Sequence, residues 1–251
     1  MRTRLACVLQ TQPNSKTMTT PARPKIPPLK QRIPLLMLDL TEHYPDSGIA
    51  LTFSNPLELA IATILSAQCT DKRVNIVTPA LFARFKSAQA FADATQTEIE
   101  EYIRTTGFFR TKAKNIKAMC AQVIQHHCGE VPSTLDELVA LPGIGRKTAN
   151  VILGDAFGTP GITVDTHVGR LSRRLGLSKH TNPEKVERDL MRLIPQPEWT
   201  HFSHRLILHG RAVCIARKPK CDVCSLKPIC PQVGVVKPGA TTPQTRRTPK
   251  S

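Results

Sequence analysis

Apolar residues recur at helical spacing through most of this 251-residue chain and nowhere alternate over a useful length. That property argues against a sheet and leaves an all-α fold. The strongest segment is "SNPLELAIATILSAQ". Pro56 suits a first helical position and Ser54 or Asn55 suits its cap, while Leu57, Ile61, Ile64 and Leu65 follow at helical spacing. The same reading predicts helices over about 33–44, 72–86, 97–105, 111–127, 134–140, 167–175, 184–194 and 198–210. Thr97–Glu100 and Ser133–Asp136 resemble capping boxes, with Asp in place of Glu/Gln in the second. Another helix starts within "LPGIGRKTANVI" and runs to Phe157, where "GTPGITVDTHVGR" breaks the pattern. Its "ITV" is extended but too short for a sheet. There is no internal repeat, and no run of about 18 apolar residues that would read as a membrane span.

The formal net charge is +16, and most of it lies in the tails. Residues 1–32 carry seven Lys/Arg and 231–251 carry four, without one acid, so the tails supply eleven of the sixteen. Residues 1–30 and 232–251 read as disordered basic arms, the first of them Pro-rich. Such arms are compatible with weak, salt-dependent attraction to nucleic acid. From Arg205 to Lys227 six Lys/Arg face one acid, Asp222.

Cys214, Cys221, Cys224 and Cys230 lie in "CIARKPKCDVCSLKPIC". Four thiolates this close suit one tetrahedral metal or a cubane cluster, and the spacing alone leaves zinc and iron–sulfur open. Disulfides are the weaker alternative: "LACVL" is too short for a signal sequence, which favours a reducing, cytoplasmic setting, although the basic, acid-free and Thr-rich N-terminus also suits a transit peptide. Met18 is a second candidate start. Cys7, Cys69, Cys120 and Cys128 are scattered and read as structural or incidental. Arg217, Lys218 and Lys220 sit inside the first cysteine loop, where they can meet phosphate or simply solvate the loop.

"LPGIG" is a tight glycine-containing link between two helices. Arg146 and Lys147 then occupy a first helical turn, where the dipole favours anions. A phosphate bound at the exposed N–H groups would resolve that mismatch, and it would position a nucleic acid backbone rather than read bases. Lys147 also has a nucleophile's chemistry, since a free amine forms a Schiff base with a sugar carbon. A lysine of pKa about 10.4 needs that value lowered to act so. Burial, Arg146 and the positive helix end would all lower it. Asp165, in "TVDTHVGR", reads as a helix N-cap and equally as a carboxylate that steadies positive charge on a sugar ring and handles a proton. His167 suits a supporting or phosphate contact. His201, His204 and His209 have a superficial metal spacing but lie on an amphipathic helix and read as structural.

Taken together, "LSAQCTD", "LPGIGRKTANVI", "VDTHVGR", "LILHGRAVCIARKPKC" and the four-cysteine spacing resemble the endonuclease III family of DNA-repair glycosylases, from about Ile33 to Pro231. The resemblance implies two helical domains flanking a DNA cleft: a six-helix domain with a helix-hairpin-helix over 49–159, and a second domain made of 31–48 with 160–231. It implies one [4Fe–4S] cluster on the four cysteines, structural and DNA-positioning in role. It implies a monomer acting on double-stranded DNA with damaged pyrimidines or abasic sites, with the target base flipped out of the stack. Lys147 would attack the sugar C1′ and Asp165 would assist, and β-elimination would cut the strand 3′ to the lesion. DNA contacts would fall on Gln68, which fills the gap left by the flipped base, and on Gly143, Gly145, Arg146, Thr148, His167, Lys218 and Lys220. Phe108 stands where the family commonly has a leucine wedge, and Phe is also an apolar inserter.

Two other readings compete. A monofunctional adenine mismatch glycosylase would lack the lysine after "GIGR" and usually carries a further C-terminal domain. A non-catalytic iron–sulfur DNA-binding protein would be expected to lose Lys147 or Asp165. Both residues are kept here.

Overall fold

The computed structural model describes residues 25–235. Residues 1–24 and 236–251, most of the two tails expected to be disordered, lie outside the described residues, while Leu29 and Lys30 at the end of the first expected tail belong to a helix instead. Among the described residues there are eleven α-helices and no strand. In chain order they are α1 (Leu29–His43), α2 (Pro56–Ser66), α3 (Asp71–Arg84), α4 (Ala88–Asp93), α5 (Gln96–Ile103) and α6 (Phe109–His127). Then come α7 (Leu135–Ala140), α8 (Arg146–Ala156), α9 (Thr166–Arg174), α10 (Pro183–Leu193) and α11 (Trp199–Ala212).

Local chemistry sets most of the starts. Asn55 accepts from the Glu58 N–H with Pro56 at the first helical position, and Asn182 accepts from the Lys185 N–H with Pro183 likewise. Both expected capping boxes are displaced. The box of α5 is Thr95 with Glu98, not Thr97 with Glu100, because Glu98 bonds back to the Thr95 N–H at 2.7 Å and closes the reciprocal pair. The cap of α7 is Thr134, which accepts from the Glu137 N–H, rather than Ser133. Helix α1 starts at Leu29, four residues earlier than the periodicity suggests, and tolerates Pro34 inside it. Helix α4 is absent from the expected set, since six residues are too few to show a period. Ser87 caps its start, and the Lys117 ammonium meets the Ala92 and Ala94 carbonyls at its end.

Two hydrophobic cores result. The first gathers Leu59, Ile61, Leu65, Phe91, Ile99, Ile116, Met119 and Ile152 from α2 to α8. Cys120 belongs to it, and burial pushes its thiol up to about 12, the behaviour of a core residue rather than a reactive one. The second joins Leu36 and Leu40 of α1 to Val168, Leu171, Val186, Leu190, Phe202 and Leu206 of α9 to α11. Helix α8 closes the first core and also meets α11 of the second. Their approach depends on Gly154, where an added Cβ would lie 2.6 Å from the Thr200 hydroxyl. On the same seam, the His204 ring lies 3.0 Å from the half-buried Asp155 carboxylate.

Candidate active site

The link between α7 and α8 makes its turn at Gly143, whose φ of +81° is costly for a residue with a Cβ. Ile144 is buried and anchors the turn, and Gly145 opens α8 without any side-chain cap. The first turn of α8 has no acidic residue, so its exposed N–H groups remain suited to an anion.

The two adjacent cations part company. Arg146 turns to α10 and grips Glu187 in a fork, Nε to Oε2 at 2.8 Å and Nη2 to Oε1 at 2.9 Å. The Glu187 side chain is only 5% exposed, and its carboxylate holds up the charged form of Arg146. Asn150 adds a third donor to Glu187 at 3.2 Å and also bonds the Ile162 carbonyl at 2.9 Å. Three donors offset the desolvation of this buried carboxylate. The same set ties α8 to the segment that leads into Asp165. Much of the Arg146 mismatch with its helix end is therefore answered inside the protein.

Lys147, by contrast, is exposed and has no ion pair or side-chain hydrogen bond among the described residues. The burial expected to act on its amine is absent. Lys147, Thr148 and Asp165 line a cavity of about 320 Å³ on the seam between the two cores, shared with Thr63, Ser66, His204 and Arg211. Lys147 and Asp165 also line an adjoining cavity with Arg170 and Arg173. Asp165 caps α9, its Oδ1 accepting from the Val168 N–H at 2.8 Å. The cap fixes where the carboxylate points and leaves Oδ2 uncommitted among the described residues. His167, in the first turn of α9, shares a hydrogen bond with Arg170 at 3.1 Å.

Gln68 and Phe108 do not line these cavities. Gln68 is exposed in the loop after α2, adjoining the cavity residues Ser66 and Ala67, and Phe108 is 66% exposed at the start of α6. Lys218 and Lys220 are exposed in the cysteine loop. Sequence reading missed Glu187, and it missed the ion pair at 3.0 Å between Arg211 and Asp71, both of which line the cavity. The only signal for the latter was the acid ending "LSAQCTD". His201, His204 and His209 go to separate partners, the Ser47 carbonyl, Asp155 and the Tyr44 hydroxyl, as structural histidines do.

Cys214, Cys221, Cys224 and Cys230 are free thiols around one apolar cavity that Leu171, Leu175 and Leu226 also line. Burial pushes the Cys224 thiol up to about 11, and the neighbouring thiols add to the effect. Cys230 is raised for the same reasons. Such a set becomes thiolate when a cation compensates it. Donors stand ready for the sulfurs: Arg174 Nη1 lies 3.3 Å from Cys214 Sγ and the Gln232 N–H 3.4 Å from Cys230 Sγ. His209 Nε2 lies 3.5 Å from Cys224 Sγ.

Two helical cores meeting at a lysine–aspartate cavity, beside a glycine hairpin, are accompanied by a family match. Residues 61–196 fit the profile of the HhH-GPD superfamily of base excision DNA repair proteins. Endonuclease III of Synechocystis is 56% identical over 203 residues, covering 80% of this chain and 93% of the relative. That of Escherichia coli K12 is 42% identical over 195 residues, covering 78% and 92%. Among solved structures, a trapped endonuclease III–DNA covalent intermediate superposes with a TM-score of 0.77 at 44% identity, over 81% of this chain and 96% of that one. A thermostable thymine-DNA glycosylase, 22% identical with a TM-score of 0.72, shares the fold. The chain belongs to the HhH-GPD superfamily and, within it, to the endonuclease III family of DNA glycosylases with AP lyase activity.

Proposed function

We propose that the chain excises oxidised pyrimidines from duplex DNA and cuts the strand 3′ to the abasic site, with Lys147 as nucleophile and Asp165 as its partner. The observation that carries this reading is that Lys147 and Asp165, eighteen residues apart, line the same two adjoining cavities. The lesion is flipped out of the stack. Asp165 takes a proton from the Lys147 ammonium and stabilises the positive charge that builds on the sugar. The amine lone pair forms a bond to C1′, and the base leaves with the electrons of the glycosidic bond. The ring opens to a protonated Schiff base, the C2′ proton is lost, and the 3′ phosphate is expelled. Water then hydrolyses the imine and frees Lys147. Gly143, Gly145 and Thr148 hold the backbone at the start of α8. Arg146 contributes chiefly through Glu187, while Lys218 and Lys220 add phosphate contacts. Gln68 and Phe108 enter the space vacated by the flipped base.

The four cysteines fit one [4Fe–4S] cluster better than a disulfide pair, because they ring a common cavity as free thiols with N–H donors aimed at their sulfurs. When bound, a cluster would supply structural closure and place the lysines of its loop. We place the reaction in the cytoplasm, with the protein acting as a monomer and its two cores as separate domains around the DNA. No helix among the described residues is long and apolar enough to cross a membrane.

Duplex DNA with one oxidised pyrimidine tests the reaction. The expected product is a strand cut without alkali and ending in a 3′ unsaturated aldehyde. Base release with an intact strand would favour the monofunctional alternative. For the cofactor, purified protein should be yellow-brown and contain iron with acid-labile sulfide. A colourless, zinc-loaded and fully active preparation would overturn the cluster.

A further inference from the structure

Lys112, in the first turn of α6, is only 4% exposed, and no carboxylate pairs with it among the described residues. A buried, unpaired ammonium is costly, so its placement needs a cause. Its Nζ donates to the Leu65 carbonyl at 2.8 Å and to the Thr106 carbonyl at 2.7 Å. Leu65 lies in the last turn of α2, and Thr106 ends the short 3-10 turn Arg104–Thr106. Both are helix-end carbonyls, which lack an intrahelical donor and carry the negative end of a dipole. One ammonium therefore satisfies two helix ends that are 41 residues apart in sequence.

Each of those ends leads directly into a strained residue. Gln68, three residues after Leu65, has φ +52°. Phe108, two residues after Thr106, has φ +48°, and Gly107 between them is also left-handed. Left-handed backbone at a Gln and a Phe is held only where its surroundings fix it. The Lys112 side chain supplies part of that fixing at both ends, while its backbone N–H, as any residue there would, bonds the Phe108 carbonyl at 3.1 Å. We infer that Lys112 is a positioning residue that locks the Gln68 and Phe108 loops together, so that the two side chains enter a duplex as one unit. This rests on the reading of Gln68 and Phe108 as duplex-inserting residues. Single-stranded DNA has no opposite base to displace and therefore does not need the unit.

The test compares borohydride trapping rates on an abasic site in duplex DNA and in the same strand alone. Lys112→Met should slow trapping on the duplex by about tenfold or more and leave the single strand within about twofold, because a misplaced insertion loop affects only the duplex. Gln68→Ala and Phe108→Ala should show the same selectivity. Adding Lys112→Met to the double variant of Gln68 and Phe108 should then change nothing further. An equal loss on both substrates, or no loss on either, would overturn the positioning role. If Lys112 is selective but the Gln68 and Phe108 variants are not, the insertion reading fails and this inference falls with it. If the Met variant does not fold, Lys112→Gln keeps one neutral donor group and should show a smaller loss than Met would, still confined to the duplex; an equal loss on both substrates would again overturn the role.

Discussion

Lys147→Ala is expected to abolish borohydride trapping on abasic DNA, a loss on the order of 10³-fold or more for removal of a covalent nucleophile. The structure makes this experiment clean. Lys147 is exposed, and no ion pair or side-chain hydrogen bond holds it among the described residues. Alanine is the better helix former and removes a cation from the positive end of α8. The variant should therefore unfold at the same urea concentration as the parent, or a slightly higher one. A trapping loss without a loss of stability or of affinity for abasic DNA is chemical. Undiminished trapping by the Ala variant would move the nucleophile elsewhere.

Asp165→Asn carries the second large effect. Asparagine is as good an N-cap as aspartate, so the bond to the Val168 N–H is kept and stability should change by less than about 0.5 kcal/mol. The charge is lost, and with it both the proton acceptor and the stabilisation of the sugar cation. Strand cleavage should fall by about 10²–10⁴-fold, the usual worth of a positioned acid–base group. Asp165→Ala should show the same kinetic loss plus about 1 kcal/mol of destabilisation from the missing cap. If the Asn variant keeps full activity while the Ala variant does not, Asp165 is a cap and nothing more.

The helices were legible because their signals are local. Pro56 behind Asn55 and the spacing of Ile61, Ile64 and Leu65 need only neighbours a few residues away. The errors were local as well. "ATQTEIE" contains two overlapping T-x-x-E patterns two residues apart, and nothing within it says which one closes. Helix α4 has too few residues to show a period.

What the sequence determined by itself was the chemistry available: an amine after a glycine hairpin, a carboxylate at a helix start, and four thiols within one short loop. Residue type and near spacing are enough for that. Only the tertiary structure decided which cation faces the cavity. Arg146 and Lys147 are adjacent and alike in charge, and the choice between them is made by Glu187, 41 residues beyond Arg146, which pairs with one and leaves the other without an ion pair among the described residues. A buried carboxylate on α10 reads in sequence like any other acid on an amphipathic helix. Its partner is set by how the two cores pack, and no local pattern encodes that.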